Sequence, residues 1–163
     1  MRQRDSKSNS PLLNGCGCLC LVIFMMVSTW IAMPPFLNMA YKAKRSEAKQ
    51  YVSSMNKGQQ AYFAENSAFT NSVDALGLGL KTETPNYKYS TRATKKAAFN
   101  YGVSKQKTEK SYVGAVFLVP AKDGRYTTSI LCEADDRATI EPAEPTYQNG
   151  KLICGKGTTQ VTK

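Results

Sequence analysis

The chain has 163 residues, 42% of them hydrophobic and 10% aromatic, and a formal net charge of +10. That apolar content supports a packed core at single-domain size and argues against wholesale disorder. With no histidine, Ser-His-Asp and Cys-His sites, His-containing zinc centres and imidazole bases are excluded.

From Cys16 to Met33 no residue carries a charge. A helix of that length reaches about 27 Å, enough for a bilayer's hydrocarbon core. Residues 1–15, with Arg2, Arg4 and Lys7, read as a basic leader and residues 16–35 as a transmembrane helix. Lys42, Lys44, Arg45 and Lys49 follow it, so flanking charge does not set the orientation. The leader is read as cytoplasmic from the cysteine pair and the resemblance given below. The exit Ile31-Ala32-Met33-Pro34-Pro35 lacks the small-x-small pattern of a cleaved secretory signal, so the segment is expected to stay as an anchor. Cys16, Cys18 and Cys20 read as small packing residues, since Cys18 leaves the helix face that Cys16 and Cys20 share.

An amphipathic helix that continues the membrane helix outward is expected over residues 36–66. Leu37, Tyr41, Ala48, Tyr51, Val52, Met55, Tyr62 and Phe63 fall within an arc of about 120°, broken by Lys44 and Gln59. Tyr51, Met55, Tyr62 and Phe63 are the principal packing residues of this face. Lys42, Arg45, Glu47, Lys49, Asn56, Lys57 and Glu65 are expected on a mostly solvated side.

Gly, Ser and Asn then punctuate residues 66–86, with Phe69, Leu76, Leu78 and Leu80 as anchors of a loop. Beyond it the apolar period becomes two, through Tyr87 and Tyr89, then Phe99, Tyr101 and Val103, then Val113–Val119 and Thr127–Cys132. Asp123-Gly124 and Asn149-Gly150 are hairpin-turn dipeptides. The expected fold is α+β: the long N-terminal helix packed on an antiparallel sheet of about four strands, the globular part spanning residues 67–163.

Cys132 and Cys154 either close a loop of about 22 residues, stabilising the domain by roughly 3 kcal/mol, or remain buried free thiols. Pairing would place the globular part outside the cytoplasm. Between them, the acidic stretch Glu133–Glu144 reads as a solvated loop, without the spacing of an EF-hand calcium site. Three Ser-x-x-Lys matches and two Gly-x-Gly turns fall short of hydrolase or phosphate-loop patterns. No catalytic, cofactor or metal residue is expected, and an enzyme is not.

Residues 36–110 carry 13 basic and five acidic side chains. Lys88, Arg92, Lys95, Lys96, Lys105, Lys107 and Lys110, interleaved with Tyr87, Tyr89, Tyr101 and Tyr112, form a candidate surface for an anionic ligand, DNA included. The bland reading is a sheet edge whose lysines discourage pairing, or attraction to anionic headgroups.

The stretch AMPPFLNMAYKAKRSEAKQYVSSMNKGQQAYFAENSAF (32–69), with AVFLVP (115–120), ILCEA (130–134) and LICGKGT (152–158), resembles type IV pilins, especially cyanobacterial pilin-like proteins. The resemblance implies a single-pass precursor with a cytoplasmic N-terminus, trimmed by a prepilin peptidase and packed with other pilin or pseudopilin subunits through its apolar helix. It also implies residence in the plasma (inner) membrane or in a cell-surface filament. Counting back from Pro34, the family's cut falls between Leu12 and Leu13, and Gly17 stands where the family has a glutamate; no acidic residue lies between Asp5 and Glu47. In the family that glutamate neutralises a neighbour's amino terminus, where an unpaired charge is costly. The expectation is therefore a minor or accessory subunit of a type IV pilus or a type II secretion pseudopilus. The alternative is a membrane-tethered extracytoplasmic module that binds DNA or another anionic ligand.

Overall fold

The structure is a computed structural model that describes the backbone of residues 12–122 and 124–161 and, within these, the side chains from Met39 onward. Most of the predicted leader, the side chains of the predicted apolar span and of Leu37, and Asp123 of the predicted turn lie outside the described residues. Among the described residues no helix is long and apolar enough to cross a membrane.

One helix, α1, runs Leu12–Asn66. The chain divides into two compact units between Ala40 and Tyr41; the helix from Tyr41 and the whole sheet belong to the second. Along that part of α1, Ala48, Val52, Met55 and Gln59 are fully buried and Asn56 nearly so, the i, i+4, i+7, i+8, i+11 spacing of a single helical face. Tyr51, Tyr62 and Phe63 are half-buried beside it, Tyr51 stacked on Tyr89 and Phe63 on Phe69, each with ring centroids 4.7 Å apart. Tyr41, predicted on the packing face, is 40% exposed.

After α1 the chain doubles back, with Leu76, Leu78 and Leu80 packed against the helix-side core. A short 3-10 helix, Asp74–Leu76, ends at Gly77, whose φ of +66° only glycine adopts without strain. Seven strands follow: β1 (Tyr87–Ala93), β2 (Ala97–Ser104), β3 (Lys110–Ala121), β4 (Gly124–Arg137), β5 (Thr146–Gln148), β6 (Lys151–Ile153) and β7 (Thr158–Gln160). The main sheet has the order β1-β2-β3-β4-β7, and β5-β6 form a separate hairpin; all pairs are antiparallel. The sheet thus has five strands where about four were expected. The fifth, β7, is three residues long and too short to leave a period-two pattern. Asn149 at φ +50° and Gly150 at +78° make the turn between β5 and β6, as their dipeptide predicts.

Both faces of the sheet are buried. Tyr87, Tyr89 and Tyr112 join Ala48, Val52 and Met55 of α1 on one face. Ala97, Phe99, Tyr101, Val113, Ala115, Ile130 and Cys132 form a second core on the other, covered by Leu152 and Cys154. The alternation of strand side chains produces this division.

Two glycines let α1 approach the sheet closely. A Cβ at Gly102 would meet Val52 at 3.0 Å, and one at Gly114 would meet Asn56 Oδ1 at 2.4 Å. Asn56, expected on the solvated side, therefore lies in the slot above Gly114. Its Nδ2 donates to the Ile130 carbonyl (3.0 Å) and its Oδ1 accepts from Asn100 Nδ2 (2.8 Å). Asn100 Oδ1 accepts from the Thr91 hydroxyl (2.7 Å), which accepts from Gln59 Nε2 (2.9 Å). Gln59 also exchanges two hydrogen bonds with the Thr70 backbone, tying the loop to the helix. These buried polar groups are partnered, as their burial requires.

Gly114→Ala should destabilise by about 1–3 kcal/mol through overpacking, and Asn56→Ala by a similar ~1–3 kcal/mol through orphaned partners. The double variant should lose less than the sum, because the methyl enters the space the amide leaves. Urea unfolding midpoints of the four proteins test this; strict additivity would refute the slot.

Candidate functional site

Where α1 meets the sheet at its Tyr41 end, charged side chains fill the seam. Glu47 accepts hydrogen bonds from Thr84 Oγ1 (2.7 Å), Asn86 Nδ2 (3.1 Å) and the Tyr89 hydroxyl (3.2 Å). Lys44 Nζ donates to Gln106 Oε1 at 2.9 Å, holding the β2–β3 loop to the helix. One turn of helix then presents two groups that its amphipathic pattern assigns to solvent.

Glu109 is completely buried, with Arg45 Nε 3.7 Å from its Oε2, and neither of its oxygens accepts a hydrogen bond among the described residues. Coulombic pairing with Arg45 thus carries the compensation for its burial. Glu133 on β4 accepts from the Tyr112 hydroxyl (2.8 Å) and pairs with Lys110 (3.1 Å) and Lys49 (3.5 Å). Burial alone would raise the Glu133 pKa, but the Tyr112 and Lys110 hydrogen bonds and the two ammonium charges outweigh it and hold the carboxyl below its ordinary value. Burial, reinforced by neighbouring carboxylates, pushes the hydroxyls of Tyr87, Tyr89 and Tyr112 well above the usual tyrosine range.

On the opposite face, Cys132 and Cys154 form a disulfide with Cα atoms 5.9 Å apart. Of the predicted solvated acidic loop, residues 133–137 belong to β4, Asp135, Asp136 and Glu141 are exposed as expected, and the part around Glu144 is tied to the sheet. Arg92 on β1 pairs with Glu144 (2.9 Å) and Glu141 (3.2 Å) and lies 5.4 Å from the Tyr101 ring centre. The Tyr101 hydroxyl donates to the same Glu144 oxygen. Gly155 packs so tightly on the Ala143 carbonyl that a Cβ would meet it at 2.5 Å. Long-range closure explains why the loop reads as solvated in sequence: its partner is some 50 residues earlier.

The seven candidate anion-binding cations do not form one surface. Lys95 and Lys96 sit at the β1–β2 turn, Lys105 and Lys107 at the β2–β3 turn. Those turns lie at opposite ends of the eight-residue β2, about 25 Å apart. Arg92, Lys105 and Lys110 are paired with carboxylates, whereas Lys88, Lys95, Lys96 and Lys107 are exposed. Among the described residues no group of His, Cys, Asp or Glu is placed to hold a metal ion. A groove of about 510 Å³ runs between Ser53, Asn56 and Gln60 of α1 and Ser129–Leu131 of β4; it holds no reactive pair.

A helix laid on an antiparallel sheet is the α+β architecture expected from the sequence, and the structure adds the disulfide-closed loop on the far face. The sequence pattern of the type IV pilin-like G and H family matches residues 45–155, more than half of the chain and most of the unit just described. The chain belongs to this family. No curated protein and no solved structure matches it. Assembly with other pilin-like subunits and a place at the membrane or in a surface filament fit the family. Within this pilin-like unit the match spans the buried helix face, strands β1 to β6, Arg92 with its two carboxylate partners, and both cysteines, and it stops short of β7.

Two outcomes follow, one from the Glu133 pairs and one from the disulfide. Because the folded Glu133 pKa is depressed, its contribution is present above the unfolded carboxyl value and lost as pH falls through the folded one. Stability measured by urea midpoint should therefore drop below about pH 4, and Glu133→Gln should flatten that acid limb. Replacing both cysteines, Cys132→Ser with Cys154→Ser, should cost about 3 kcal/mol by restoring loop freedom to the unfolded chain, read as a lowered midpoint in the same titration.

Proposed function

We propose that this pilin-like chain is a minor or accessory subunit of a type IV pilus or a type II secretion pseudopilus. It would be anchored by its N-terminal apolar helix, with its N-terminus cytoplasmic and its globular unit outside. The observation that carries this reading is the length of α1. Of its 55 residues, those from Tyr41 onward belong to the globular unit, and the preceding stretch includes the uncharged run from Cys16 to Met33. A helix so divided suits a subunit that packs with its neighbours through one end and displays a folded head at the other.

The disulfide supports an extracytoplasmic head, because such bonds persist in oxidising compartments. Gly17 in place of the family's glutamate supports a minor position over that of an abundant shaft subunit. A non-enzymatic role is supported by the absence of histidine from the sequence. The dispersal of the basic residues over two ends of β2 gives DNA capture less support than assembly.

A charge in the apolar run, Val22→Lys, should remove the protein from sheared surface filaments while leaving it in the membrane fraction. Immunoblots of the two fractions read the outcome. Undiminished filament content of the variant would sink the assembly reading. Intact-mass and N-terminal sequencing of the wild-type protein in each fraction should show a new terminus between Leu12 and Cys18 in filaments if a prepilin peptidase acts on it.

A further inference from the structure

The basic groups at the Tyr41 end of the globular unit have a use that subunit packing does not explain. Three segments distant in sequence converge there. Lys44 reaches Gln106 of the β2–β3 loop, and the backbone N–H of Lys105 in that loop donates to the Asn86 carbonyl. The Lys105 ammonium meets Glu83, while Lys88 pairs in register with that same Glu83 and adds to the field on it.

Lys42, Lys44, Lys88, Lys105 and Lys107 are thereby gathered at one end, and of these only Lys105 is ion-paired among the described residues. The carboxylates at the same end are already engaged: Glu47 by three hydrogen-bond donors and Glu109 by Arg45. The end therefore presents a surplus of positive charge to solvent. Beside it Tyr41 is 40% exposed, with the Lys44 ammonium 5.8 Å from its ring centre. An exposed tyrosine next to snorkelling lysines is the composition of a membrane–water interface.

We propose that this end of the globular unit docks on a bilayer surface by binding anionic lipid headgroups. The inference rests on the membrane anchorage proposed above, since Lys42 follows the predicted apolar run by nine residues and covalent reach keeps it within about 32 Å of Met33. Clustered lysines beside a membrane segment are attracted to anionic leaflets over about a Debye length, and salt weakens that attraction. Docking holds an unassembled subunit head-down on the membrane, and anionic lipid must be left behind when the subunit is drawn into a filament. Lys95 and Lys96, at the far end of β2, take no part.

The test uses the full chain in proteoliposomes of phosphatidylcholine alone or with about 30% phosphatidylglycerol, the fraction being chosen to give a substantial surface potential. Brief trypsin treatment followed by mass spectrometry gives the ratio of cleavage after Lys107 to cleavage after Lys96. Docking predicts that anionic lipid lowers this ratio about threefold or more, and that about 0.5 M salt restores it. The triple variant Lys42→Gln, Lys44→Gln, Lys88→Gln keeps both cleavage sites. Loss of the Lys44–Gln106 bond raises its cleavage after Lys107 with or without lipid, so its own neutral-vesicle ratio is the baseline, and anionic lipid should leave that ratio unchanged.

An unchanged ratio in anionic vesicles overturns the proposal, as does a drop that the triple variant retains. Protection of Lys107 by double-stranded DNA, with none from anionic lipid, overturns it in favour of a nucleic-acid surface. Flotation separates the underlying anchorage. A chain that floats with neutral vesicles yet gains no Lys107 protection from anionic lipid is anchored without docking, whereas one that floats only with anionic vesicles docks without being anchored.

Discussion

The main sheet is apolar on both faces, and a sheet so built cannot stand alone in water. One cover is α1, which brings Ala48, Val52 and Met55 down onto the tyrosines of β1 and β3. The chain has no second helix for the other face among its described residues. It uses the loop between Cys132 and Cys154 instead, carrying Leu152 and Cys154 onto Phe99, Val113 and Ile130. Within that loop the β5–β6 hairpin pairs only with itself and has to be tied to the main sheet by other links. The disulfide, the Arg92 carboxylate pairs and the Tyr101 hydrogen bond to Glu144 supply that restraint. Of these links the disulfide carries most, since Arg92 and Glu141 are half exposed or more and exposed ion pairs contribute only about 0–1 kcal/mol.

The helix-side interface is less oily than its burial suggests. Asn56, Gln59, Asn100 and Thr91 form a connected chain of hydrogen bonds through its centre, and Glu47, Glu109 and Glu133 are enclosed at its Tyr41 end. Apolar packing tolerates sliding and rotation of a helix on a sheet, whereas a buried amide loses its partners if the helix shifts by one residue. The Asn56 slot over Gly114 therefore sets the axial position of α1.

Charge follows the same axis. At the Tyr41 end Glu47 and Glu109 turn inward and are consumed by the fold, Glu83 stays at the surface paired with Lys105, and Lys42, Lys88 and Lys107 are exposed. Arg92 is consumed by the disulfide loop. Exposed lysines also lie elsewhere, Lys57, Lys95, Lys96, Lys151 and Lys156 among them, so the net charge of +10 is spread over the surface, with one cluster at the Tyr41 end.

Much of this was legible in the sequence. The period change after residue 86, the strands around Tyr87, Phe99, Val113 and Thr127, the Asn149-Gly150 turn and the helix ending near Asn66 are local signals, carried by propensity and alternation within a few residues of each position. The family resemblance rests on the same local strings. Tertiary structure alone decided the rest. Asn56 and Glu47 have the composition of a solvated face, and only a glycine 58 residues later and a tyrosine 42 residues later draw them inside. The fifth strand is too short to show a period, and β4 supplies its partner. The acidic loop looks free because Arg92 lies far upstream, and the scattered lysines look like one surface because sequence does not record which turns share an end of the sheet. Each of these depends on contacts between residues remote in the chain, whose pairing is set by loop closure and packing that no local pattern encodes.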